Sequence, residues 1–310
     1  MKIALVGPGA IGCLLGGLLS RAGHEIWLID RHPERAKLLS RRGVLVSGVS
    51  GEFRAKVRAT TSPQDAGRAE LVMVTVKSFD TPAAARAAKP LMGADTAVLT
   101  LQNGLGNLEV LQQELGKDPV LGGVTALGAS LVAPGQVHHA GEGPTVIGHP
   151  TGEMSDRLIV LKETFSEAGF YTEISTDLTS VLWGKLATNA GLNAVATLAQ
   201  VRNGGVMESP ALRKLLAAAV GEASEAARAR GVRLPYPDMV AHTEEICQRT
   251  ANNVNSMLQD VFRRRPTEVD AINGAVVREG QAAGVPTPTN QLLLSLIHGI
   301  EETYSSRLAR

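Results

Sequence analysis

With 310 residues, 44% of them hydrophobic and 20% charged, the chain is long enough for two separate cores and has an ordinary globular composition. Its 31 basic and 30 acidic residues and 3% aromatics offer neither a basic face for nucleic acid or an anionic membrane nor a base-stacking platform. Cys13 and Cys247 lie far apart without CxxC or Cys/His spacing, which excludes a disulfide framework and a zinc ribbon, calls for no metal and suits a reducing cytoplasm.

Lys2 followed by IALVGPGAIGCLLGGLL imitates a signal peptide, but Gly7, Pro8 and Gly9 split the apolar run and no cleavage site follows. Instead, Ile3–Val6 predicts a short strand, Gly7-Pro8-Gly9-Ala10-Ile11-Gly12 a turn, and the apolar stretch to Arg21 a helix closed by Gly23. Glu25–Ile29 is the next strand and ends at Asp30. A glycine loop between strand and helix, with an acid at the end of the second strand, is the context a dinucleotide fingerprint requires. Gly7 permits the tight turn, Gly9 lets the backbone approach a pyrophosphate, and Gly12 allows close packing. The helix N-terminus adds amides and positive dipole. Asp30 would accept bonds from adenosine ribose hydroxyls and favour NAD, whereas the adjacent Arg31 could hold a 2′-phosphate and favour NADP; Asp30 disfavours a phosphate nearby, which Arg31 and Arg35 could offset. The sequence leaves both open.

Pro33–Arg42 predicts a helix with proline at its first position and Gly43 at its end. Val44–Ala59 holds two alternating segments around Gly48–Gly51; in the second, Phe53, Ala55, Val57 and Ala59 alternate with Arg54, Lys56 and Arg58 as one half-exposed strand. Glu70–Val76 and Thr96–Leu101 are buried-type strands that deliver Lys77 and Asn103 at their carboxyl ends, where open α/β sheets bind ligands. Asn107–Leu115 is a helix and Val120–Thr125 a strand. Gln136–His139 and Thr145–Ile147 are expected to form an antiparallel pair, with His138 and His139 pointing opposite ways. Asp156–Ala168 and Phe170–Ile174 close a domain of alternating strands and helices.

From Asp177 on the pattern is helical: Thr179–Ala199, Pro210–Arg230, Tyr236–Thr250, Asn255–Arg264, Thr267–Ala283 and Pro288–Leu308. The fold expected is α/β, a Rossmann-type dinucleotide-binding domain over 1–175 followed by an all-α domain over 176–310. No apolar run reaches the roughly 20 residues that span a bilayer. The helix Thr179–Ala199 is apolar all round, as buried helices are. Lys185, Asn189 and Asn193 at i, i+4 and i+8 form one row along it. Such a row is either a solvated stripe or a set of donors waiting for an anion or carbonyl, because a buried ammonium and two amides are costly unless satisfied.

Taken together, several segments resemble the ketopantoate reductase (2-dehydropantoate 2-reductase) family. They are GPGAIG at Gly7–Gly12, VTVKS ending at Lys77–Ser78, LQNGLGN around Asn103, WGKLATNAGLN around Lys185, NNVNSMLQD around Ser256 and RPTEVDAING around Glu268. The match is collinear over nearly the whole chain. The resemblance implies reduction of a small 2-oxo acid, ketopantoate, to pantoate in the pathway to pantothenate and coenzyme A. By the same resemblance Lys185 is the general acid, and Asn189, Asn193, Asn203 and Asn253 are substrate-side amides. Ser256 donates to the substrate carboxylate, Asn103 and Glu268 lie near the nicotinamide and its ribose, Ala129 is a backbone contact of the cofactor, and Lys77 matches the family's strand-end lysine. The chemistry is coherent: an apolar setting lowers a lysine pKa toward neutrality, and the ammonium stabilises the emerging alkoxide.

NADP(H) is the implied cofactor, and Asp30 keeps NAD(H) open. Asp30 also admits an NAD-linked D-2-hydroxyacid dehydrogenase of the D-mandelate type on the same scaffold. A non-catalytic dinucleotide sensor is a third reading, and it gives no reason for a buried lysine flanked by amides. A homodimer is compatible with the sequence.

Overall fold

In the computed structural model, which describes residues 1–307, the chain forms two compact units. One comprises Met1–Gln102 and Asn107–Leu178; the other comprises Asn103–Gly106 and the chain from Thr179 onward. Leu308, the last residue of the C-terminal helix expected from sequence, lies outside the described residues.

The strands of the first unit, in chain order, are β1 (Lys2–Val6), β2 (Glu25–Ile29), β3 (Val44–Gly48), β4 (Phe53–Ala55), β5 (Arg58–Thr60), β6 (Leu71–Val74), β7 (Ala97–Thr100), β8 (Val120–Thr125), β9 (Gly128–Ala133), β10 (Gln136–Gly141), β11 (Thr145–Gly148) and β12 (Thr172–Ile174). Its helices are α1 (Ala10–Arg21), α2 (Pro33–Arg42), α3 (Pro63–Ala66), α4 (Thr81–Ala88), α5 (Asn107–Leu115) and α6 (Asp156–Glu167). Eight strands make one sheet in the order β12-β11-β8-β7-β6-β1-β2-β5. From β5 to β8 every pairing is parallel; β11 then runs antiparallel to β8. Strands β1, β6 and β7 are continuous apolar runs buried on both faces, as parallel sheets covered by helices require. The strand order reverses between β1 and β6, and the loop that follows β1 therefore opens at the switch point where such sheets bind ligands.

Four strands form a second sheet, β4-β3-β10-β9. Helix α1 lies between the two sheets, and its paired glycines make that possible. A Cβ on Gly16 would come 3.2 Å from Leu28 of the large sheet, and one on Gly17 would come 2.7 Å from Val46 of the small one.

Two expectations fail in this unit. The segment Phe53–Ala59 is not one strand: β4 pairs with β3 in the small sheet, and β5 pairs with β2 in the large one. The side-chain alternation survives, but the ladder partner changes as the chain crosses between sheets. Nor do Gln136–His139 and Thr145–Ile147 pair. β10 joins β9 and β3, whereas β11 joins β8 and β12. The short Gly-rich turn carries the chain from one sheet to the other. His138 is exposed and His139 buried, as opposite faces of one strand should be.

Besides Asn103–Gly106, the second unit is built of helices α7 (Leu178–Ala199, entering it at Thr179), α8 (Gly205–Glu208), α9 (Pro210–Ala229), α10 (Met239–Arg249), α11 (Ser256–Phe262), α12 (Asn273–Ala283) and α13 (Pro288–Glu302). Trp183, Leu186, Ala190 and Val195 of α7 share one core with Leu216 and Val220 of α9, Val276 of α12 and Leu293 and Ile297 of α13. Each large aliphatic side chain so buried contributes roughly 1.5–3 kcal/mol. Inside this core the Asn273 amide donates to the Ala190 carbonyl and to Asn290 Oδ1, both at 3.0 Å. Asn290 in turn donates to the Ala219 carbonyl at 3.0 Å and to Glu222 Oε2 at 2.8 Å. One polar chain thus ties α7 to α12, α13 and α9, and it fixes α7 beside Asn189.

Two helices start later than their patterns suggest. Helix α10 begins after Pro237, which disfavours helix in the residue before it, and Asp238 caps it by accepting from the Val240 and Ala241 amides. The segment Thr267–Ile272 is a run of turns. The Thr267 hydroxyl takes the Val269 amide, and the Glu268 carbonyl accepts from Ala271 and Ile272. Among the described residues no helix is long and apolar enough to cross a membrane.

Candidate active site

The glycine loop of the first unit divides its labour among three residues. Gly7 has φ +94°, and a Cβ there would lie 2.4 Å from Val76. A Cβ on Gly12 would strike the Gly7 carbonyl and the Thr75 hydroxyl, each at 2.6 Å, so this glycine serves helix–strand packing. Gly9 differs. Its added Cβ would meet nothing nearer than the Thr75 carbonyl at 4.0 Å. The protein itself leaves the space over Gly9 open, at the start of a helix whose first-turn amides lack intrahelical acceptors. The open space and the free first-turn amides of Ala10, Ile11 and Gly12 could hold a pyrophosphate. Pro8 is buried, and its carbonyl accepts from the Cys13 thiol at 3.3 Å. Burial pushes that thiol up to about 12, so Cys13 acts as a packed apolar group. Burial likewise pushes Cys247 up to about 11.

At the end of β2 the Asp30 side chain is fully covered. Arg35, in the first turn of α2, donates to it through Nε and, at 2.7 Å, through Nη2. The His32 backbone amide adds a bond of 2.9 Å. The Arg35 side chain is itself 30% exposed, so the carboxylate is covered while its cation partner still touches water. Arg31 is exposed and holds both oxygens of Asp80 at 3.1 and 3.0 Å; an exposed pair of this kind is worth about 0–1 kcal/mol. Lys77 follows β6, the neighbour of β1, and precedes a short 3₁₀ turn, Ser78–Asp80. Ala129 lies on β9 in the second sheet, opposite His139. Sequence patterns gave no signal for Asp80, because its link to Arg31 spans 49 residues.

In the second unit the row on α7 is no solvated stripe. Asn189 and Asn193 are buried and Lys185 is half-buried. Burial lowers the Lys185 pKa from its ordinary value. Asn189 donates to Asn103 Oδ1 at 3.4 Å, and Asn103 donates to Glu268 Oε2 at 3.4 Å. The strand-end segment therefore joins α7 to the turn that carries buried Glu268. Gly104 makes this docking possible: it has φ +83°, and a Cβ there would lie 2.3 Å from the Ala271 carbonyl. That same carbonyl accepts the Leu105 amide at 3.0 Å. Sequence reasoning missed Gly104, although the Asn-Gly pair is a turn signal.

The row continues past Asn193 to Thr197, whose hydroxyl meets Asn255 Oδ1 at 3.4 Å. Asn255 caps α11 by accepting the Leu258 amide at 3.0 Å, and it thereby sets the position of exposed Ser256. Asn203 and Asn253 are brought together as well. The Asn203 backbone amide donates to the Asn253 carbonyl at 3.0 Å, and its side chain donates to the Thr250 hydroxyl at 2.9 Å.

A doubly wound sheet with a glycine loop at its switch point, and a helical unit with a lysine–amide row, are what a dinucleotide-dependent oxidoreductase requires. The family described as ketopantoate reductase PanE/ApbA matches residues 3–152, and its C-terminal counterpart matches residues 177–301. The chain belongs to the ketopantoate reductase family. It is 35% identical over 301 residues to a 2-dehydropantoate 2-reductase of Archaeoglobus fulgidus, covering 97% of this chain and 98% of that one. It is 36% identical over 299 residues to one of Halobacterium salinarum, covering 96% and 98%. Among solved structures it resembles a PanE/ApbA family ketopantoate reductase from Ralstonia eutropha JMP134, with TM-score 0.89, 34% identity and coverage of 98% and 99%. It also resembles a D-mandelate dehydrogenase in complex with NADH and anilino(oxo)acetate, with TM-score 0.92, 27% identity and coverage of 99% and 100%.

Proposed function

We propose that this chain reduces 2-dehydropantoate to (R)-pantoate with NADPH, using Lys185 as the acid. The observation that carries the reading is the Lys185–Asn189–Asn193 row: an ammonium with a burial-lowered pKa, on a helix whose amides are already oriented. When bound, the reduced nicotinamide supplies a hydride to the ketone carbon. Lys185 Nζ gives its proton to the ketone oxygen, and its charge stabilises that oxygen while negative charge develops. Asn189, Asn193, Asn203 and Asn253 orient the substrate, and the Ser256 hydroxyl donates to its carboxylate. Asn103 and Glu268, fixed to one another, serve the nicotinamide ribose. Gly7–Gly12 and the Lys77 and Ala129 positions hold the rest of the dinucleotide. Covered Asp30 beside exposed Arg31 supports a 2′-phosphate at this corner, and so NADPH over NADH.

The D-mandelate dehydrogenase likeness supports a second reading, a bulkier 2-oxo acid reduced with NADH. Absorbance assays with NADPH and with NADH, on 2-dehydropantoate and on phenylpyruvate, separate the two. The first reading expects the NADPH and 2-dehydropantoate combination to be fastest. Faster turnover of phenylpyruvate with NADH would replace it with the second. No oxidation of either cofactor across a panel of 2-oxo acids would leave only a sensor.

A further inference from the structure

We infer that Arg35, through its hold on Asp30, sets which dinucleotide the first unit accepts; the inference deepens the NADPH reading and rests on it. A carboxylate at the end of the second strand ordinarily accepts the ribose hydroxyls of an unphosphorylated dinucleotide. Here that carboxylate has no exposed surface, and three donors converge on it: Nε and Nη2 of Arg35 and the His32 amide. A ribose cannot reach Asp30 while Arg35 holds it. The residue that marks NAD use in a sequence is thus withdrawn from recognition by a neighbour on the next helix.

The same contact removes a second obstacle. An uncompensated Asp30 would repel a 2′-phosphate, and the Arg35 guanidinium cancels its charge in place. Arg31 then presents the accessible cation, being 69% exposed, and its partner Asp80 sits in a surface pair that a phosphate dianion can displace. Pro33 at the start of α2 and His32 at its cap fix the turn from which Arg35 folds back toward Asp30. Arg35 is a positioning residue: it acts through Asp30.

Calorimetric titration of the full chain with adenosine 2′,5′-bisphosphate and with 5′-AMP reads this corner without turnover. The unaltered chain should bind the bisphosphate about tenfold or more tighter, the scale of one charge-assisted bond. Arg35→Leu should weaken the bisphosphate by a similar factor and, by freeing Asp30, tighten 5′-AMP several-fold. Adding Asp30→Asn should abolish that gain. Arg35→Lys, which keeps the charge without the two-point grip, should fall between. The inference is overturned if Arg35→Leu leaves 5′-AMP binding unchanged, which would make Arg35 a phosphate contact only. A 5′-AMP gain that persists in the double variant also overturns it. Should Arg35→Leu not fold, Arg35→Lys decides, and an unchanged bisphosphate to 5′-AMP ratio there is the contrary result. Equal affinity of the unaltered chain for both ligands would sink the NADPH reading alone, and the Asp30-dependent gain would still test the role of Arg35.

Discussion

Asp30 at the end of β2 is fully covered and Lys185 in the middle of α7 is half-buried, and their surroundings treat these two charged groups in opposite ways. Asp30 is clamped by a guanidinium and a backbone amide, which fixes its geometry and leaves its carboxylate no room for another partner. Lys185 stands in a row of carboxamides, and burial lowers its pKa. A charge locked in an ion pair is scaffold, because exchanging its partner or its proton means breaking the pair. A charge destabilised by its surroundings holds its proton loosely, and that is what proton donation near neutrality requires.

The largest effect that could break this contrast comes from Lys185→Ala. Turnover of 2-dehydropantoate should fall by about 10²–10⁴, while NADPH affinity, measured by fluorescence titration, stays within about twofold. An unimpaired variant would make the row scaffold as well. Next come the glycines of the β1–α1 loop. Gly12→Ala drives a methyl to 2.6 Å from the Gly7 carbonyl and should cost about 1–3 kcal/mol in urea unfolding. Gly9→Ala meets no protein atom closer than 4.0 Å, so stability should hold while NADPH binding weakens about tenfold or more. Gly104→Ala combines φ +83° with a clash against Ala271; it should cost about 1–3 kcal/mol and, by displacing Asn103, lower turnover as well.

The smallest effect is the most diagnostic of how Lys185 is held. With its folded pKa lowered, the unfolded chain binds more protons over the interval from that lowered value to the ordinary lysine range of about 10.4. Stability should therefore rise with pH across that interval, and the penalty should be fully present below it. Lys185→Met removes the penalty, so it should raise the melting temperature by a few degrees at neutral pH and flatten this part of the pH dependence.

What the sequence revealed follows from how locally each feature is encoded. The strand, glycine loop, helix and acid around β1–β2 are consecutive, and so is the α7 row; both could be read from spacing alone. The second sheet could not. Its β3–β10 ladder pairs Leu45 with Gln136, and strands this short carry no signal for a partner so far along the chain. For the same reason β10 and β11 were expected to pair when they belong to different sheets. Glu268 was expected within a helix because Thr267–Ala283 has helical periodicity; the competing hydroxyl of Thr267 and the turn bonds to the Glu268 carbonyl are local, but they are not periodic. The clustering of Asn103–Gly106 with the helical unit depends on distant partners, Asn189, Glu268 and the Ala271 carbonyl. The masking of Asp30 by Arg35 lies between these cases: both residues are visible in sequence, and only the structure reveals that the carboxylate is covered.

The central claim is that Lys185 donates the proton from a lowered pKa, and the pH dependence of kcat for 2-dehydropantoate reduction tests it most directly. In the unaltered enzyme kcat should fall as pH rises through a value below the ordinary lysine range of about 10.4, and Lys185→Ala should lose that descending limb. A limb at the same pH in Lys185→Ala, or a rate that holds up to the ordinary lysine range, would contradict the account.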